Sequence, residues 1–148
     1  MGDDMKYVDE ILKLANKAKN KKCVPVGAIV VKNNKIIGKG YNKKEITNNP
    51  MDHAEIIAIK KAVKKNKTWK LDGCELYVTM IPCAMCKNVI NEVRIKKVNY
   101  ILDNQKEKYK NKKNNNELNL QKIDDEKTEK VYSEILRYFF TLKRKKIT

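Results

Sequence analysis

The sequence predicts an α/β fold: a three-layer α/β/α sandwich with a mixed central sheet of about five strands flanked by helices. Three observations carry this prediction. Segments with apolar residues at helical spacing alternate with short β-rich runs. In the centre the order reads strand, helix, strand, helix, strand, which packs as layers with a right-handed crossover. The length of 148 residues and a hydrophobic fraction of 41% suit one domain with its own core. No internal repeat divides residues 1–148.

Each element follows from local pattern. Val8, Ile11, Leu12, Ala15 and Ala18 predict a helix from Asp4 to Asn20. Val26 to Lys32 is a β-rich run, and Ile36 to Tyr41 returns beside it. Between them Asn33-Asn34 supplies residues that tolerate positive φ, as a tight hairpin requires. Asn49-Pro50 breaks the chain, and Asp52 helps to start a helix running to about Asn66. Glu75 to Thr79 reads as a strand, Cys83 to Glu92 as a helix and Lys96 to Leu102 as a strand. Residues 103–116 are nearly all Asn, Lys, Gln and Glu, with Tyr109 the lone large apolar body. Such a composition buries no core and predicts a polar loop. Glu117 to Ile123 forms a short fifth strand. Val131, Ile135, Tyr138, Phe139 and Leu142 predict a C-terminal helix over about 124–146.

The chemistry-bearing residues are few. His53 is the only histidine. It stands in His53-Ala54-Glu55, and Pro82-Cys83-Ala84-Met85-Cys86 follows later. A zinc ion with three protein ligands keeps a fourth position for water, whereas four protein ligands close the site. His53, Cys83 and Cys86 make three, which leaves Glu55 to move protons. Cys83 and Cys86 are i and i+3, on one face of a helical turn, and a positive helix end favours their thiolates. His53 and Glu55 are i and i+2, so they serve one site only if their helix points its end at the metal. H-x-E followed by P-C-x-x-C is the signature of zinc nucleobase deaminases. A lone C-x-x-C also occurs in structural zinc knuckles and redox pairs, and a lone Glu55 also suits a helix start. Cys23 and Cys74 read as buried or idle thiols in a reducing compartment.

Several segments together resemble one family. They are Pro25-Val26-Gly27-Ala28-Ile29-Val30-Val31, Gly38-Lys39-Gly40-Tyr41-Asn42, His53-Ala54-Glu55-Ile56 and Leu76-Tyr77-Val78-Thr79 leading to Pro82-Cys83. In these the chain is similar to the tRNA-specific adenosine deaminases of the cytidine-deaminase-like superfamily, over about residues 6–100. Tyr138-Phe139-Phe140 and the basic residues after it resemble that family's closing helix. The resemblance implies a sandwich of cytidine-deaminase type and hydrolytic deamination of adenosine to inosine at the wobble position of a tRNA anticodon. It implies Zn2+ on His53, Cys83 and Cys86, with Glu55 as proton shuttle. Asn42 would hydrogen-bond the base or ribose, Val26 and Gly27 would wall the pocket, and the backbone at Ala54 would touch the activated water. Phe139, Phe140, Lys143, Arg144 and Lys145 become candidate RNA contacts, and the family implies a homodimer.

Two departures and the charge bear on the substrate. Ile81 stands where the family has Glu before Pro-Cys. Ile101-Leu102-Asp103 and the Lys/Asn run replace a small-residue segment that borders the substrate. The formal charge of +16 suits phosphate neutralisation. Yet only Arg94, Arg137 and Arg144 among 34 basic residues are arginine, and a Lys- and Asn-rich composition also reflects a biased coding background. Asn42 also fits a turn, the two phenylalanines also fit core packing, and Lys143–Lys146 also fits a solvated helix end. The alternatives to a tRNA deaminase are a deaminase of free guanine, cytosine or a nucleoside, and a non-catalytic zinc subunit. No apolar run follows Met1-Gly2-Asp3-Asp4 and none is long enough to span a bilayer. The expected setting is cytoplasmic, without a membrane.

Overall fold

A computed structural model describes residues 2–104 and 118–147. Helix α1 (Gly2–Asn20) precedes strands β1 (Gly27–Lys32) and β2 (Lys35–Tyr41). A one-turn helix α2 (Lys44–Thr47) and helix α3 (Ala54–Asn66) follow. Then come β3 (Glu75–Met80), α4 (Ala84–Glu92), β4 (Lys97–Leu102), β5 (Asn119–Lys122) and α5 (Glu126–Ile147). The five strands make one sheet in the order β2-β1-β3-β4-β5. β1 is antiparallel to β2 and β3, whereas β3–β4 and β4–β5 are parallel. This is the mixed five-stranded sandwich of cytidine-deaminase type.

Strand alternation sends successive side chains to opposite layers. Ala28, Val30, Leu76, Val78 and Val98 face α3 and α4, where Ala58, Ile59, Ala62 and Ile90 meet them. Ile29, Val31, Tyr77 and Ile101 face α1 and α5, against Val8, Ile11, Leu14 and Tyr132. The β1–β2 hairpin turns on Asn33 and Asn34 with φ of 49° and 62°. Two left-handed residues give the turn whose twist matches its strands.

Two glycines set the depth at which α3 lies on the sheet. A Cβ on Gly38 would overlap the carbonyl oxygen of Ala58, and one on Gly40 would overlap that of Ala54. Their bare backbone lets α3 press against β2 and brings its first turn to the end of the strand. At the other end of the chain, Asp125 starts α5. Its carboxylate accepts from the Lys127 N–H at 3.2 Å and the Thr128 hydroxyl at 2.9 Å, which serves the orphan donors of the first turn. The helix therefore begins at Glu126, later than the apolar spacing predicts.

Other boundaries also differ from expectation. α1 starts at Gly2, and β1 starts at Gly27, which leaves Val26 outside the sheet. α2 was not expected: it is too short for a periodic pattern and buries no residue. Asp52 does not cap α3. Its carboxylate instead accepts the Thr47 hydroxyl at 2.7 Å and so ties down α2. Asp103 and Asn104 lie outside regular elements, as the polar loop requires. The rest of that loop, Tyr109 included, lies outside the described residues.

Gly40→Ala is expected to lower stability by about 1–3 kcal/mol, the usual range for overpacking. It should also weaken metal binding, because α3 would be pushed off the sheet at its first turn. Urea unfolding and a metal titration of the variant check both effects.

Candidate active site

The ends of two helices meet. His53 is the N-cap of α3 and Cys83 the N-cap of α4. Neither uses its side chain to cap its own helix. His53 Nδ1 instead lies 3.5 Å from Cys86 Sγ and 3.8 Å from Cys83 Sγ. The three donor atoms all fall within 4.8 Å of one another. A tetrahedral cation bonded at about 2.0–2.3 Å sets its nitrogen and sulfur donors roughly 3.5–3.8 Å apart. The spacing and the donor set therefore fit a metal ion, and both positive helix ends favour anionic ligands. The condition set by the i, i+2 spacing of His53 and Glu55 is met, because the end of α3 points at the donors.

The group is strongly polarised. The Cys83 thiol is pulled down to about 3, chiefly by the hydrogen bond it accepts from Cys86. The Cys86 thiol is pushed up by making that bond and by burial. His53 is raised, first by its hydrogen bond with Cys83. Of the two thiols, Cys83 is therefore the one favoured as the anion. Glu55 is 4% exposed. Burial pushes its carboxyl up to about 7, although its own backbone N–H and the Cys86 thiol both stabilise the anion. A carboxyl near neutrality accepts and returns protons with little cost in either direction.

A cavity of about 220 Å³ opens above these groups, lined by Val24, Val26, Asn42, Lys44, His53, Glu55, Met80, Ile81, Cys83 and Asn104. Its lining is mostly apolar. The volume is below the range of drug-sized ligand sites, about 300–1,000 Å³, and suits one flat ring. Asn42 donates from Nδ2 to the Val24 carbonyl at 3.3 Å and accepts the Lys44 N–H at 3.1 Å. One amide hydrogen and one lone pair remain to it beyond these bonds.

Not every expected residue reaches the cavity. Gly27 opens toward α1: a Cβ there would lie 2.7 Å from Leu14 Cβ and 2.8 Å from the Ala15 nitrogen. Ala54 is buried in the first turn of α3, beside His53. Phe139 and Phe140 touch edge to face at 5.2 Å, with Phe139 buried and Phe140 exposed. Lys143 Nζ lies 5.9 Å from the Phe139 ring centre. Lys143 and Arg144 are exposed, and Lys145 follows in the same helix. Sequence reasoning missed Val24, Lys44, Met80 and Asn104 as lining residues, since only the fold brings them together. Tyr138, placed by the sequence in the closing helix but not among the candidate RNA contacts, is exposed beside Lys19 Nζ at 5.2 Å.

A sandwich of this strand order, with a metal-competent group between two helix ends, belongs to the deaminase class. A structure solved in studies of A-to-I editing by tRNA:A34 deaminases at the wobble position superposes with a TM-score of 0.73. It is 25% identical and covers 81% of this chain and 98% of its own. A guanine deaminase of Bacillus subtilis superposes with a TM-score of 0.65 at 33% identity, over 73% of this chain and 69% of its own. A tRNA-specific adenosine deaminase of Bacillus subtilis (strain 168) is 41% identical over 98 residues, 66% of this chain and 61% of that protein. The chain belongs to the MafB19-like deaminase family, whose profile matches residues 2–144. It spans about six-tenths of the length of the curated relatives it matches.

The polarised thiol pair sets a pH dependence. Metal uptake is expected to release protons from the thiol pair, and more at a pH low enough to protonate His53. Apparent affinity therefore falls as pH falls. Calorimetric titration of the metal-free protein in two buffers of different ionisation enthalpy measures the release, and Cys86→Ala should abolish uptake.

Proposed function

We propose that this chain is a zinc-dependent hydrolytic deaminase that converts adenosine to inosine in a tRNA anticodon loop. The observation that carries it is Glu55, a buried carboxyl that lines a ring-sized cavity together with His53 and Cys83 and is not one of the three donors. A non-catalytic zinc subunit has no use for such a group. His53, Cys83 and Cys86 hold the zinc in this reading, and the ion supplies the acidity that makes water a nucleophile near neutral pH.

The protein's own groups do the rest. Val24, Val26, Met80 and Ile81 bury the faces of the purine and exclude bulk water. Asn42 turns its spare amide hydrogen and lone pair toward the polar edge of the base or its ribose. The Glu55 carboxylate accepts a proton from the attacking water and passes it to purine N1. Oxygen adds at C6, and Glu55 then relays a second proton to the departing amine. Adenine and water become hypoxanthine and ammonia. The target base must leave its stack to enter, as for other base-modifying enzymes. Phe140, Lys143, Arg144 and Lys145 meet the RNA away from the pocket, with exposed Tyr138 beside them. Phe139 supports them from inside. By resemblance the active species is a homodimer, which sedimentation of the zinc-loaded protein tests, in a cytoplasmic setting. No described helix is long and apolar enough to cross a membrane.

A second reading is deamination of a free purine. The apolar Ile81 in the cavity lining and the guanine deaminase among the structural neighbours favour it. One assay separates the two: inosine formation in an anticodon stem-loop run beside free adenine, guanine, cytosine and their nucleosides. Inosine in the RNA with slow turnover of free bases supports the proposal. Rapid turnover of guanine with no inosine in RNA replaces it with the second reading.

Glu55→Gln is expected to keep zinc and fold while turnover drops at least about 10²–10⁴-fold, the usual share of a general acid–base group. Metal content, circular dichroism and single-turnover rates check this. The sign of the stability effect is also set. Burial raises the folded pKa of Glu55 from 4.5 to about 7. In metal-free protein its contribution is therefore full below the unfolded value and is lost as pH rises through about 7. Replacing both Lys143 and Arg144 by Ala should weaken stem-loop binding and flatten its salt dependence by roughly two phosphate contacts. A binding series across ionic strength reads that slope.

A further inference from the structure

We propose that Tyr132 is a positioning residue for the reaction, the group through which the C-terminal helix sets the width of the substrate pocket. Tyr132 is fully buried on α5, and its hydroxyl lies 2.7 Å from the Pro25 carbonyl oxygen. Thr79 Oγ1 accepts the Gly27 N–H at 3.2 Å. The Pro25 carbonyl can only accept, so Tyr132 gives its proton to Pro25. Two buried hydroxyls, one on α5 and one on β3, thus hold the backbone on either side of Val26.

Both bonds act on one short strap and its junction with β1. Residues 24–26 precede β1 and lie outside the sheet, so no strand ladder holds them. Val24 and Val26 of this strap wall the cavity. On one side the strap is fixed by Asn42, whose N–H donates to the Val26 carbonyl at 3.0 Å and whose Nδ2 donates to that of Val24. Tyr132 fixes the carbonyl between them. Thr79 precedes Met80 and Ile81 of the facing wall. The Tyr132 hydroxyl thus ties the strap wall of the pocket to α5, and Thr79 ties the start of β1 to the facing wall. Tyr132 touches neither substrate nor metal donors, so its effect passes through the strap.

The catalytic consequence rests on the deaminase reading, whereas the geometric consequence does not, and the experiment reads them separately. Tyr132→Phe removes one oxygen and keeps the ring. Amide exchange in the zinc-loaded chain is expected to quicken at Asn42 and Gly27 by about tenfold or more. Ile29 and Val78 in the sheet should be unchanged. On an anticodon stem-loop, kcat should fall about 10–100-fold, the cost of a small misplacement, while KM stays near the wild-type value because the RNA is held elsewhere. Thr79→Val, which removes the neighbouring hydroxyl, should give the same pattern if Tyr132→Phe yields too little folded protein. Unchanged exchange at Asn42, or a uniform rise across the whole sheet, overturns the proposal. So does unchanged kcat in a chain whose wild type makes inosine. If wild type makes none, the functional reading fails and exchange alone decides the role of Tyr132.

Discussion

The structure depends on one juxtaposition, that of His53 Nδ1 with the sulfurs of Cys83 and Cys86. Three metal-binding atoms can share a space of under 5 Å only if two separate backbones end there. Both backbones are helix N-termini, and both present their first-turn N–H groups to the same point. That arrangement explains why neither N-cap residue caps its own helix. Glu55 sits in the first turn of α3, where burial raises its carboxyl against the pull of the same helix end. The fold concentrates positive potential where the chemistry needs anions.

Several features serve that placement. Gly38 and Gly40 let α3 sink onto β2, so its first turn ends level with the strand. The parallel pair β3–β4 requires a crossover, and α4 is that crossover. Its start lies just past the carboxyl end of β3, with Pro82 at the bend. The apolar walls arrive from elsewhere, from the strap at 24–26 and from Met80-Ile81. The metal group is thus built by local turns between neighbouring elements, and the pocket above it by distant ones.

This division explains what the sequence could tell. The donors were legible because their types and spacings are rare and nearly local. Hairpin, strands and long helices were legible through periodicity, with errors at boundaries where a side chain chose the end. Asp125 set the start of α5 at Glu126, and Asp52 bonds Thr47 while His53 takes the N-cap position of α3. The pocket walls were not legible, since Val24, Met80 and Asn104 carry no mark of their own until the sheet is assembled. Gly27 shows the limit of resemblance: its bare face turns to α1, where the helix backbone leaves no room for a side chain. Phe139 and Phe140, adjacent and identical, divide between interior and surface according to helical phase.

The bond between Tyr132 and Pro25 spans 107 residues. Donors at positions 53, 83 and 86 leave the ribosome well before the residue that braces the pocket wall. A nascent chain can therefore gather its metal ligands while the cavity above them is still unfinished. Closing so long a loop adds only logarithmically to the entropic cost, but it places the event late, since distant contacts form after local ones. In that order the metal ligands gather first, and the wall at 24–26 is braced after them.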